Sequence, residues 1–112
     1  MHELSLCRSI YTIVRRAVPA RRVVAILLDV GALRQVVPPT LECCWGIVTE
    51  GTALEGSDLR VRTIPGVLEC AECGTRTEMG RQLRLACGTC ESARVRVVTG
   101  EEFMVRSVDV SD

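Results

Sequence analysis

The chain has 112 residues, 47% of them apolar and only 3% aromatic, and its fourteen basic side chains balance fourteen acidic ones. That length bounds it to one domain, or one domain with a small appendage. Zero net charge argues against the basic field of a nucleic-acid or anionic-membrane binder. No apolar run reaches the ~18 residues of a membrane span, so a soluble globular protein is expected.

Residues 4–18 predict an amphipathic helix. Leu6, Cys7, Ile10, Ile13, Val14 and Ala17 recur at three- and four-residue steps, and Arg8, Ser9, Thr12, Arg15 and Arg16 fill the other face before Pro19 stops it. Residues 22–30 (RVVAILLDV) are β-branched, leucine-rich and almost continuously apolar, which predicts a buried strand closing at Gly31. Pro38-Pro39 opens a second helix, because a first turn tolerates a missing N–H. Leu41, Cys44, Trp45 and Val48 form its apolar stripe, and Gly51 stands where a C-terminal cap belongs. Residues 58–64 alternate Leu59 and Val61 against Arg60 and Arg62, a half-exposed strand broken at Pro65-Gly66. Two short strands are expected around Gly80, another over 93–98, and a last one over 102–110.

Between those strands stands the strongest chemical signal. Cys70/Cys73 and Cys87/Cys90 form two C-x2-C pairs with thirteen residues between them, slightly outside the usual spacing window. Two such turns facing each other supply four thiolates at about 2.3 Å from a tetrahedral metal, foremost a structural Zn²⁺, and a closed four-thiolate site keeps no open position for catalysis. Gly74 and Gly88 beside the pairs suit the left-handed backbone that such turns need. Rubredoxin-like iron fits the same sulfurs. Paired disulfides are the remaining alternative, against which stand the odd cysteine count and the absence of a secretory segment; an unsignalled chain is expected in the cytoplasm, where thiols stay reduced.

The only histidine, His2, follows Met1 directly. A terminal residue is ordinarily inert. A sharper reading starts from the α-amino group of Met1, the nearby backbone nitrogens and the His2 imidazole, which together offer fused chelate rings suited to Ni(II) or Cu(II). Glu3 could balance charge or give an axial oxygen, though a carboxylate in a first helical turn is ordinary.

The opening Met1-His2-Glu3-Leu4-Ser5-Leu6, the stretch VGALRQVVPPTLE (residues 30–42), TEG at 49–51 with LEG at 54–56, and CAECG…CGTC resemble the HypA/HybF family. These are nickel-delivery accessory proteins for nickel–iron hydrogenase maturation, and the resemblance runs in order along the chain. It implies a nickel metallochaperone of α+β fold. A small mixed sheet with two helices (residues 1–66 with 96–112) would bind Ni²⁺ through Met1, His2 and Glu3. An inserted zinc-ribbon lobe (67–95) would hold Zn²⁺ through Cys70, Cys73, Cys87 and Cys90. It further implies a GTPase partner and docking on the hydrogenase large-subunit precursor, or in some members service to urease; a homodimer is admitted. Departures are Cys43, Cys44, Trp45 and Gly46 where the family tends to carry phenylalanine and alanine, a shorter first link, and no second histidine.

The chain is not expected to be an enzyme, since one terminal histidine builds no catalytic constellation and no glycine-rich phosphate loop is present. The competing function is a zinc-ribbon adaptor for nucleic acid or a transcription complex, which predicts a basic surplus or stacking aromatics. Rubredoxin-like electron transfer and a plain zinc-stapled scaffold are the others. Cys7, Cys43 and Cys44 read as small hydrophobes, with a redox or auxiliary metal role for the Cys43-Cys44 pair as the alternative.

Overall fold

The computed structural model describes residues 3–80 and 84–111. In chain order it runs α1 (Glu3–Ala17), β1 (Arg22–Gly31), a 3-10 turn (Ala32–Arg34), α2 (Pro38–Thr49), β2 (Asp58–Ile64), β3 (Val67–Cys70), β4 (Arg76–Glu78), β5 (Val95–Thr99) and β6 (Phe103–Ser111). The strands form two three-stranded sheets, ordered β2-β1-β6 and β4-β3-β5. The first is mixed: β1 lies parallel to β2 and antiparallel to β6. Parallel neighbours need a crossover, and α2 supplies it. The second sheet is antiparallel throughout.

The apolar stripe of α1 is narrower than its periodicity suggests. Leu6, Cys7, Ile10 and Val14 are buried, but Ile13 is 44% exposed and Ala17 also faces out. Together with Leu41 and Trp45 of α2, the α1 stripe covers Ile26, Leu28, Val30 and Leu59 of the first sheet, giving one core under a two-helix layer. Trp45 is 1% exposed, and its indole N–H donates to Ser57 Oγ at 3.0 Å. Past the helix end Gly51 takes φ 76°, as a C-terminal cap requires. On the other face of the sheet, the central strand carries a buried carboxylate. Asp29 accepts two bonds from Arg62 at 3.0 and 2.8 Å, and Arg106 approaches to 4.0 Å.

The molecule is long, 53 × 23 × 16 Å, with a radius of gyration of 17.2 Å against about 13 Å for a compact domain of this length. Its sheets meet where three chain crossings touch. A Cβ at Gly31 would lie 1.9 Å from the Gly100 carbonyl oxygen, and one at Gly100, where φ is 117°, would lie 2.7 Å from Gly66 Cα. Gly31 N–H donates to Glu102 O at 2.7 Å, and Leu33 N–H to Gly100 O at 2.8 Å. Arg34 closes the corner, its Nε donating to Glu101 O at 2.7 Å and its guanidinium 5.6 Å above the Phe103 ring.

The expected pair of strands around Gly80 is half realised. β4 precedes Gly80, residues 81–83 lie outside the described residues, and 84–86 carry no strand. β5 fills the third position beside β3 instead, so residues 96–99 hydrogen-bond in the second sheet, where the sequence reading had them returning to the first. β6 does return to the first sheet, along β1. Among the described residues no helix is long and apolar enough to cross a membrane.

Candidate metal centre

The two C-x2-C turns are built alike. Cys70 N–H donates to Thr75 O at 3.0 Å and Cys70 O accepts from Gly74 N–H at 3.0 Å; Cys87 N–H donates to Ser92 O at 2.9 Å and Cys87 O accepts from Glu91 N–H at 3.0 Å. Each turn folds back because its fifth residue adopts a left-handed conformation, Gly74 at φ 74° and Glu91 at φ 61°. Gly88 has a different task from the one its sequence position suggested. It takes no positive φ, and a Cβ there would press on Thr77 Cγ2 at 3.0 Å, while its N–H donates to Thr77 Oγ1. Ala71 N–H, donating to Arg94 O at 2.8 Å, ties the first turn to the strand after the second.

This frame brings all four predicted sulfurs together. Cys70 Sγ lies 3.6 Å from Cys90 Sγ, and Cys73 Sγ 3.6 Å from Cys87 Sγ; all four atoms fall within 4.8 Å of one another. A tetrahedron of sulfurs 2.3 Å from a central ion has edges of about 3.8 Å, so the residues fit a tetrathiolate metal. Cys70 and Cys87 are buried, while Cys73 and Cys90 close the outer side.

The electrostatics point the same way. Backbone N–H groups of Cys90 and Thr89 draw the Cys87 thiol down to about 6, and hydrogen bonding with Thr75 lowers Cys73. Cys90 moves in the opposite direction, up to about 12: the Ser92 N–H favours its thiolate, but contact with Cys70 and burial outweigh it. Sulfurs this close oppose one another's ionisation, and a divalent cation among them removes the conflict.

The ribbon's arginines are engaged by acids. Glu69 accepts from Arg76 at 3.1 Å and Arg96 at 2.9 Å, and bonding to Arg96 and then Arg76 holds its carboxyl below the usual range. Arg94 faces Glu72 at 3.9 Å and Arg84 faces Glu91 at 3.8 Å. Each arginine described in the ribbon thus sits against a glutamate.

Of the expected nickel residues, Met1 and His2 lie outside the described residues; Glu3 opens α1, half-exposed. Of the spare thiols, Cys7 is fully buried and donates to Leu41 O at 3.5 Å, Cys44 is half-buried against the same core, and Cys43 is exposed. Burial first, then Cys44 and Glu3, push the Cys7 thiol up to about 11. Two of the three pack as small hydrophobes and Cys43 does not.

The family model described as "Hydrogenase/urease nickel incorporation, metallochaperone, hypA" matches residues 1–110. The hydrogenase maturation factor HypA of Nostoc sp. is 35% identical over 112 residues, covering 100% of this chain and 97% of its own. Its counterpart in Geobacter metallireducens is 37% identical over 110 residues, covering 98% and 99%. Among solved structures, the Ni metallochaperone HypA from Helicobacter pylori shares the fold, with a TM-score of 0.67 over 98% of this chain and 97% of its own at 18% identity.

Proposed function

The chain belongs to the HypA family of hydrogenase and urease nickel-incorporation metallochaperones, and from that footing we propose that it carries Ni(II) on its amino terminus and delivers it to a nickel–iron hydrogenase large-subunit precursor. The α-amino group of Met1, the imidazole of His2 and the neighbouring backbone nitrogens supply the donors, with Glu3 beside them. The observation that carries this reading is the family match, which begins at residue 1 and so includes the segment that would chelate. Glu3 starting α1 supports it, because first-turn N–H groups have no carbonyl partner inside a helix.

Zn²⁺ is the resident metal of this proposal, held by Cys70, Cys73, Cys87 and Cys90, and it supplies a fixed tetrahedral crosslink. The lobe it staples would be residues 67–95 with the rest of β5. Nickel is cargo. The protein acts as a carrier, not a catalyst, so nucleotide-driven release belongs to a GTPase partner. Seven free cysteines suit the reducing cytoplasm.

The test is a Ni(II) titration of tag-free, zinc-loaded protein against His2→Ala and against a chain extended at its amino terminus. Both changes remove a nitrogen donor, so nickel affinity falls sharply in each while zinc content stays the same. Equal nickel binding by all three proteins would refute the terminal chelate.

A further inference from the structure

Two cysteines outside the zinc site meet where α1 packs on α2. Cys7 is fully buried, and its Sγ reaches across the contact to the Leu41 carbonyl oxygen at 3.5 Å. Cys44 stands three residues beyond Leu41, one turn along the same helix face. Helical side chains lean toward the N-terminus, so the Cys44 side chain overlies the turn whose carbonyl Cys7 touches. It packs half-buried against the core that encloses Cys7. After burial itself, the largest influence on the Cys7 thiol comes from Cys44.

The spacing of packed helices suits a bond between them. Helix axes lie about 8–10 Å apart with Cα atoms at a radius of about 2.3 Å. Facing Cα atoms are thereby brought into the range of about 4.4–6.8 Å that a disulfide spans. Cys43 is placed otherwise. It is exposed, and adjacent helical residues point about 100° apart, so it faces neither Cys7 nor Cys44.

We propose that Cys7 and Cys44 are a reversible oxidation site, which takes a small-molecule disulfide as its oxidant and closes as a covalent bridge between α1 and α2. The half-buried Cys44 attacks the oxidant's S–S bond as its thiolate, forming a mixed disulfide and releasing one thiolate. Cys7, enclosed beside it, then attacks the Cys44 sulfur as its own thiolate, and a second thiolate leaves. The two protein thiols give up two electrons and two protons. The oxidant's two sulfurs gain the electrons, and the protons end on the two departing thiols. Burial supplies the selectivity: no oxidant reaches Cys7 directly, so it reacts only with a sulfur already inside the helix contact. In a reducing cytoplasm such a bridge is transient and follows the thiol–disulfide balance. Closed, it anchors the start of α1 to α2.

The experiment treats the zinc-loaded full chain with excess oxidised glutathione, blocks the remaining thiols by alkylation, and digests with trypsin without reduction. Cleavage after Arg8, Arg34 and Arg60 separates Cys7 in peptide 1–8 from Cys44 in peptide 35–60. Mass spectrometry finds these two peptides joined, two hydrogens lighter than their sum, and dithiothreitol parts them. Cys43→Ser keeps the joined pair and Cys44→Ser loses it. In a chain carrying both Cys7→Ala and Cys43→Ser, glutathione stays attached at Cys44, the intermediate left without its partner. Far-UV circular dichroism and zinc content verify that each variant is folded. The proposal is overturned if oxidised wild-type protein yields no joined pair and only glutathione adducts, if the pair survives Cys44→Ser, or if Cys43→Ser abolishes it.

Discussion

Gly31→Ala is the sharpest probe of how the two sheets are joined. The backbone there is ordinary, φ −69° and ψ 143°, so alanine meets no torsional objection. Space is the obstacle: its Cβ would lie 1.9 Å from Gly100 O, 2.0 Å from Gly100 C and 2.5 Å from Glu101 N. All three are backbone atoms, which cannot rotate aside. The crossing must open by about 1.5 Å to reach normal van der Waals separation, and the bonds of Gly31 N to Glu102 O and Leu33 N to Gly100 O lengthen with it. Overpacking costs about 1–3 kcal/mol and each lost bond about 1, giving about 3–5 kcal/mol against a typical total of about 5–15. Urea unfolding of zinc-loaded protein, followed through the single buried Trp45, measures it; the expected thermal shift is about 12–20 °C downward. Gly46→Ala is the control of opposite sign. It adds a methyl in open space on a helix and stabilises by up to about 1 kcal/mol. A Gly31→Ala chain within about 0.5 kcal/mol of wild type, inside the range of a neutral surface change, would refute the close crossing.

The sequence made the local parts of this architecture legible and left the distant meetings hidden. Periodicity placed α1, β1, α2 and β2 because each buries one stripe or one run against a single core, and two C-x2-C pairs announced their own convergence. Gly31 and Gly100 gave no comparable sign, since what each meets first is backbone thirty or more residues away. β5 and β6 both read as strands; a strand pattern does not name its neighbour, so residues 96–99 were expected in the first sheet and lie in the second. Asp29 stands in an otherwise apolar run, and the parallel register Asp29↔Arg62 explains it. The turn at Glu91 had a readable cue, because it repeats the place of Gly74 four residues after the first cysteine of its pair. It was missed because a glutamate does not advertise a left-handed backbone. Gly88 drew the inference that belonged to Glu91.

The remaining expectations concern the zinc lobe, the buried carboxylate and the buried thiol. Cys87→Ser removes a sulfur whose N–H bonds favour its thiolate, so zinc content falls while Trp45 fluorescence and the α1–α2 core stay native; loss of the Trp45 signal together with the zinc would show that the first lobe cannot stand without the second. At Asp29 the two deletions are unequal. Asp29→Ala releases an Arg62 side chain that is 56% exposed and costs about 1 kcal/mol, whereas Arg62→Ala strands a buried carboxylate with only the distant Arg106 and costs about 2–3, and denaturation that gives the reverse order would contradict the placement of Asp29. Cys7 yields the pH prediction. Burial raises its thiol from 9.0 to about 11, so between those values the unfolded chain has lost a proton that the folded chain keeps. A group whose folded pKa is raised contributes stability that is whole below the unfolded value and disappears as pH climbs through the folded one. Stability should therefore decline from about pH 9 toward about 11, and Cys7→Ala should flatten that decline. In the folded, zinc-loaded protein near pH 8, an alkylating reagent should modify Cys43 and spare Cys7, because the exposed thiol is open to the reagent and the buried one is not. Equal modification of the two in native protein would mean that Cys7 is not shut between α1 and α2.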